Sequence, residues 1–211
     1  MIATEDSGLG DPLMASTLVF RPLTASRWND LVDLFGPERG ACAGCWCMWP
    51  RIRGVDFKAL SKPQRQMAFR KVVERGPPPG LLAYEGKVAV GWVAISPRRA
   101  VHRFNISRIS AAVDGPSSDL DHTWALTCFY VRNSHRRGGI TRKLAEAAID
   151  YARKQKAHRV EVCAIEPERT LSWGEAFVGV ASVFGPLGLV EVARRSPRRP
   201  LLRLELRRPR G

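Results

Sequence analysis

The chain has no long apolar run. No stretch approaches the roughly 20 residues that a membrane-spanning helix needs, and residues 1–16 carry acidic residues and glycines rather than a basic start and an apolar core. Neither a bilayer span nor a secretory leader is expected. Cysteine is scarce and odd in number: five residues, at Cys42, Cys45, Cys47, Cys128 and Cys163. An odd count without a leader argues against a disulfide framework and for reduced thiols in a cytoplasmic protein. Internal repeats and low-complexity linkers are also missing, so the 211 residues read as one domain over residues 17–211 behind a flexible tail at residues 1–16. Acidic residues are few, 20 against 34 basic ones, which gives a formal charge of +14.

That charge admits nucleic acid, an acidic membrane surface or an anionic ligand as partner. The basic residues are spread along the chain, however, and are mostly arginine. Their densest group, Arg194-Arg195, Arg198-Arg199, Arg207-Arg208 and Arg210, reads as a solvated edge strand and tail. It lacks the interleaved aromatics of a nucleic-acid surface. A strongly cationic substrate would meet repulsion unless local carboxylates cancel it.

The apolar pattern supplies the elements. Thr17 to Leu23 reads as a strand, and Thr24 or Ser26 can cap a helix carrying Trp28, Leu31, Val32, Leu34 and Phe35. A glycine- and cysteine-rich loop spans residues 36–54, and a second helix is expected from about Phe57 to Glu74, stopped by Gly76 and three prolines. Residues 81–84 and 87–95 flank the Glu85-Gly86 turn of a hairpin. Residues 96–121 are polar and irregular, and loops of that length are more often functional than idle. A strand entered at His122 comes next, then a helix, a strand at Arg159 to Ile165, a helix from about Ser172, and strands at Leu189 to Ala193 and Leu201 to Leu206.

The chemistry concentrates after Val131. The apolar run Leu126 to Val131 breaks at Arg132-Asn133-Ser134 and passes through His135-Arg136-Arg137-Gly138-Gly139-Ile140-Thr141 into a helical pattern at Ile140, Leu144, Ala147, Ala148 and Tyr151. Strand, basic glycine turn, helix: backbone N–H groups, two arginines and the positive end of a helix dipole face one anion, an arrangement suited to a pyrophosphate. A P-loop would need Lys-Ser or Lys-Thr directly after the second glycine, where Ile140-Thr141 stand. A dinucleotide fingerprint would need three spaced glycines, and Gly138 and Gly139 are adjacent.

What remains, Arg136-x-x-Gly139-x-Thr141 behind a strand, resembles the acetyl-CoA signature Gln/Arg-x-x-Gly-x-Gly/Ala of the GCN5-related N-acetyltransferases (GNAT), with Thr141 as the departure. By element order the resemblance covers about residues 17–207. It implies an α/β fold whose mixed, mostly antiparallel central sheet is flanked by helices and contains a splayed pair of central parallel strands. It further implies acetyl-CoA as co-substrate, its pyrophosphate on Arg136, Arg137, Gly138, Gly139, Ile140, Thr141 and Arg142 and its pantetheine arm along Phe129, Tyr130 and Val131. A neutral primary amine, on a small molecule or a protein, would attack the thioester directly. The family places a tyrosine four residues before the glycine of Tyr-x-x-x-Gly-Phe to protonate the departing thiolate; the matching string Phe184-Gly185-Pro186-Leu187-Gly188-Leu189 has phenylalanine there. A thiolate whose conjugate acid has a pKa of about 8.5 leaves tolerably without that acid. Ser182 and Tyr130 are substitute donors, and His122, Glu161 and Glu175 are the candidate bases, with a water chain as the other possibility.

The segment Gly44-Cys45-Trp46-Cys47-Met48-Trp49 stands apart. With Cys42 it offers three thiolates, but a fourth ligand is missing locally and would have to come from His102, His122 or Cys128. Small buried cysteines beside packed tryptophans is the plainer reading, and no metal is expected. In the resembled fold this connection lies over the acceptor side, so Cys45, Trp46, Cys47 and Trp49 are expected to wall the acceptor pocket. The loop is also similar to one in a bacterial subgroup of these enzymes. Acetyl-CoA and an amine are the expected partners, without membrane or nucleic acid; a homodimer is compatible with the sequence. The missing tyrosine leaves two alternatives, a non-catalytic acyl-CoA-binding regulatory module and, third, a nucleic-acid-associated basic protein.

Overall fold

The computed structural model describes residues 17–36, 44–115, 119–169 and 176–206. Its strands are β1 (Leu18–Pro22), β2 (Gly80–Glu85), β3 (Val88–Pro97), β4 (Thr123–Val131), β5 (Arg159–Cys163), β6 (Val190–Arg194) and β7 (Pro200–Glu205). They form one seven-stranded sheet in the order β1-β2-β3-β4-β5-β7-β6. All neighbours are antiparallel except the central pair β4 and β5. This is the mixed, mostly antiparallel α/β sheet expected from the element order.

The helices are α1 (Trp28–Phe35), α2 (Gly54–Ala59), α3 (Lys62–Arg75), α4 (His102–Ile106) and α5 (Ile140–Lys154). Alternate residues of β3 divide between two cores: Val93 and Ile95 pack with Leu144, Ala148 and Ile149 of α5, while Trp92 and Ala94 pack with Leu31 and Phe35 of α1 and Phe69 of α3. The sheet is therefore covered on both faces, which explains why its central strands read as continuous apolar runs. The α5 positions Leu144, Ala145, Ala148, Ile149 and Ala152 recur at helical spacing and are all buried.

Two expectations are corrected. The helix expected to run from Phe57 to Glu74 is two helices, because Ser61 is extended and closes a capping box with Gln64 at the start of α3. The helix expected from about Ser172 begins among residues outside the described set; from residue 176 the chain forms three 3-10 turns, Ala176–Val178, Ala181–Val183 and Gly185–Leu187. Gly179, Gly185, Pro186 and Gly188 deny that stretch an uninterrupted helical segment.

One irregularity positions the site. Ala94 pairs with Cys128 and Ile95 with Leu126, so Thr127 is an extra residue in β4. A bulge re-phases the alternation of side chains. Leu126 and Phe129 both face α5, and Cys128 turns to the opposite core beside Cys47. Regular pairing would have put Phe129 on the other face.

Candidate functional site

The parallel pair is short. β4 and β5 are in register only from Thr123/Arg159 to Leu126/Val162; β5 ends one residue later at Cys163, while β4 continues from Thr127 to Val131. The two strands part at the bulge. Residues 176–181 border the opening: Ile165 donates its backbone N–H to Gly179 O at 3.0 Å, Ala181 N–H donates to Ile165 O at 2.9 Å, and the Ala176–Val178 turn packs on β4. A Cβ on Gly179 would meet the Phe184 ring at 2.6 Å and the Phe129 ring at 3.3 Å, so this close approach depends on glycine.

At the open end of β4 lies the basic turn. The 3-10 turn Asn133–His135 leads to Arg137 at φ 67° and Gly139 at φ 71°, both left-handed, and Gly139 is the N-cap of α5. Arg142 and Lys143 return their N–H groups to Gly139 O at 3.1 and 3.3 Å. The N–H groups from Arg137 to Thr141 donate to no backbone carbonyl among the described residues, as expected where a helix begins. Gly138 and Gly139 are exposed and a Cβ on Gly139 would meet nothing, so its left-handed φ, not crowding, calls for glycine. Arg136 is anchored through Nε to Val131 O at 3.1 Å and remains exposed beside Arg137. His135 is held by Glu85 at 3.0 Å and Ser134 at 2.8 Å, which fixes the turn to the end of β2. Donors, arginines and helix end thus share one surface.

On the other side of the opening is a small cavity of ≈110 Å³, bounded by Trp49, Arg103, Phe104, Thr127, Cys163 and Phe177. Through Phe177, Val178 and Arg199 it adjoins a shallower groove of ≈560 Å³. Trp49 stands edge-on to Phe57 at 5.0 Å and carries the Arg103 guanidinium 3.7 Å above its ring. Arg199 donates to the carbonyls of Ala164 and Cys163 at 3.0 and 2.9 Å. The cavity therefore combines an aromatic wall with positive charge.

The cysteine loop divides between wall and core. Trp49 lines the cavity, but Trp46 and Cys47 are each only 2% exposed, which corrects the expectation that both would face an acceptor. Trp46 is packed between Trp28 and Phe35, with ring centroids 5.9 and 5.6 Å away. Trp92 donates its indole N–H to Cys47 Sγ at 3.2 Å. A hydrogen bond from Cys128 outweighs burial and, with help from Trp92 and the Arg51 charge, lowers the Cys47 pKa. Burial brings the Arg51 guanidinium down to about 10 while the charge of Cys47 supports it. Arg51 donates to Ser96 Oγ at 2.9 Å and Ala100 O at 3.3 Å. Cys45 is partly exposed, and Cys42 lies outside the described residues.

The candidate acid–base residues are not brought together. Glu161 is fully buried between Arg98 and Arg203, an environment that holds a carboxylate in place and shields it from a substrate amine. His122 lies at the start of β4, roughly 30 Å of strand from Val131 at ~3.4 Å per residue, and stacks on His158. Ser182 is exposed on the turn Ala181–Val183 and Tyr130 packs edge-on to Phe35 at 5.4 Å. Glu175 lies outside the described residues. Phe184 is fully buried, 5.9 Å from the Phe129 ring. Arg51, Arg98 and Arg103 escaped the sequence reading because an arginine signals burial or stacking only through partners distant in the chain.

A mixed sheet whose one parallel pair opens beside a basic glycine turn defines the acetyltransferase class of α/β proteins. The sequence model of the Acetyltransferase (GNAT) family matches residues 46–174, more than half of the chain, and the chain belongs to that family. It is an enzyme, an acyltransferase. The fold is similar to that of an N-acetyltransferase from Staphylococcus aureus Mu50 (TM-score 0.55, 13% identity, 91% of this chain and 100% of that one). It is also similar to yncA from Salmonella typhimurium, solved with its cofactor acetyl-CoA (TM-score 0.53, 15% identity, 90% and 94%). A third similar structure is a ribosomal-protein-alanine N-acetyltransferase from Brucella melitensis (TM-score 0.52, 18% identity, 89% and 99%). None of the curated proteins compared matches the chain. Among the described residues, no helix is long and apolar enough to cross a membrane.

Proposed function

We propose that this enzyme transfers the acetyl group of acetyl-CoA to a primary amine on a small molecule or a protein. The observation that carries the reading is the left-handed Gly139 at the N-terminus of α5, with its array of N–H donors and two exposed arginines at the open end of β4. These donors and the helix dipole would hold the pyrophosphate, and the edge of β4 from Phe129 to Val131 would direct the thioester into the opening. The acceptor enters past Trp49 and Arg103, from the side opposite the glycine turn. Its uncharged nitrogen attacks the acetyl carbonyl; the C–N bond forms, backbone donors near Val131 carry the oxyanion, the C–S bond breaks, and the nitrogen gives up its proton to water.

No side-chain acid is assigned. Phe184 cannot donate a proton, and the CoA thiolate leaves with the pKa of an ordinary thiol. The arginines around the cavity and the net charge of +14 favour an acceptor that is not polycationic. Cysteines that form no disulfide among the described residues accord with a cytoplasmic site of action, residues 17–211 with a single domain, and the loop Gly44 to Trp49 with the bacterial subgroup carrying that segment. Neither the regulatory-module nor the nucleic-acid alternative gains support from the family or the fold.

Release of free CoA thiol, measured over a panel of amines, tests the proposal. Turnover with at least one amine class supports it. Tight CoA binding without turnover on any amine would assign the protein to the non-catalytic alternative instead.

A further inference from the structure

The parallel register of β4 and β5 sets Thr123 beside Arg159 and therefore brings the preceding residues, His122 and His158, side by side. His158 donates its backbone N–H to His122 O at 2.8 Å, so the ladder runs through both histidines. Parallel neighbours in register point to the same face of a sheet, and the two imidazoles stack with centroids 4.4 Å apart and planes 14° from parallel. The Asp119 carboxylate stands in front of both. Its oxygens lie 2.8 and 3.0 Å from His122 Nδ1 and 3.0 Å from His158 Nδ1. Asp119 is itself fixed by the turn into β4, accepting the His122 N–H on Oδ1 at 3.1 Å and the Thr123 N–H on its carbonyl at 2.9 Å.

We propose that Asp119, His122 and His158 form a binding site for a divalent transition-metal ion, zinc being the best fit, that ties the starts of β4 and β5 together. The proposal departs from the expectation of no metal and is independent of the acyl-transfer reading. One ligand atom from each of the three residues lies within 4.8 Å of the other two. Zinc–nitrogen and zinc–oxygen bonds of about 2.0–2.2 Å in a tetrahedron separate ligand atoms by about 3.4 Å, a spacing that small side-chain rotations reach from this arrangement. Two imidazoles and one carboxylate are ligands of suitable softness for zinc, and water completes the shell. All three side chains are between 39% and 50% exposed, which gives an ion an entry path. The adjoining arginines are already paired: Arg99 with Asp121 at 3.1 Å, Arg159 with Asp114 at 2.8 Å and Glu205 at 3.3 Å. Their charge is therefore partly cancelled where the cation would sit. Bound there, the ion replaces contacts shared around one carboxylate by coordination bonds joining both strands, on the end of the sheet away from the glycine turn.

The test uses full-length protein stripped of metal, titrated with Zn²⁺ by calorimetry and with Co²⁺ followed by visible absorption. One ion per chain is expected, bound at least tenfold more weakly by Asp119→Asn and by His158→Asn. Both variants should keep the CoA affinity of the unaltered protein, which shows that they fold. The cobalt spectrum should lack thiolate-to-metal charge transfer. Absence of binding by the unaltered protein, unchanged affinity in both variants, or a thiolate band from the cysteine loop would each overturn the assignment.

Discussion

Arg98 and Glu161 form an ion pair in which neither side chain is exposed to solvent, and Arg203 closes the other side of the same carboxylate at 2.7 Å. Arg98 also reaches Asn105 Oδ1 at 3.0 Å and Ser110 O at 2.8 Å, so one guanidinium ties β5 to α4 and to the segment that follows it. This cluster stabilises the sheet and the 98–110 segment flanking the cavity. Replacing Glu161 by Gln leaves the fully buried Arg98 guanidinium without its counter-charge, while Arg203 keeps Asp114 at 2.8 Å. A loss of about 3–5 kcal/mol is expected from breaking such a buried pair, read from urea unfolding. A loss below about 1 kcal/mol, the scale of exposed pairs, would mean that the pair is screened.

The glycine turn gives the second prediction. Gly139→Val puts a β-branched residue at φ 71° and tilts the N–H array, while Arg136→Ala removes the charge anchored on Val131. CoA affinity, measured by calorimetry, should fall at least tenfold in each. Unaltered affinity in both would remove the pyrophosphate from this turn.

Trp49 is the test of the acceptor side. Its ring bounds the cavity and carries Arg103, on the side of the opening away from the turn residues. Trp49→Ala should raise the KM for the amine several-fold and leave CoA affinity within twofold. Equal losses in both would show that the loop supports the fold rather than the acceptor.

Phe184→Tyr restores the side chain that the family carries at this position, but into a fully buried site against Phe129. The hydroxyl would enter an apolar core, and an unsatisfied buried polar group costs about 1–3 kcal/mol. The variant should unfold at lower temperature and turn over no faster. A tenfold rise in kcat would show instead that the hydroxyl reaches the sulfur.

Most of the fold was legible because the central strands and α5 carry their periodicity on the surface of the sequence, and the turn at Arg136 to Thr141 is local: its chemistry comes from consecutive residues. The rest depends on contacts remote in the chain. Glu161 looks like any strand carboxylate until Arg98, some sixty residues earlier, is seen against it. Trp46 and Trp49 are indistinguishable in sequence, yet one is sandwiched by Trp28 and Phe35 and the other faces the cavity. The bulge at Thr127, which decides the face of both Phe129 and Cys128, leaves no mark in an apolar strand.

That bulge and the short parallel pairing decide what borders the opening. β4 is paired with β5 over only four residues; from Thr127 to Val131, roughly 17 Å at the rise of a strand, it keeps β3 on one side and has the Ala176–Val178 turn in place of a strand on the other. β3 holds that length up to the Gly91/Val131 pair. The gauge of the opening is therefore set by β3 and the 176–181 segment, and not by the pairing of β4 with β5.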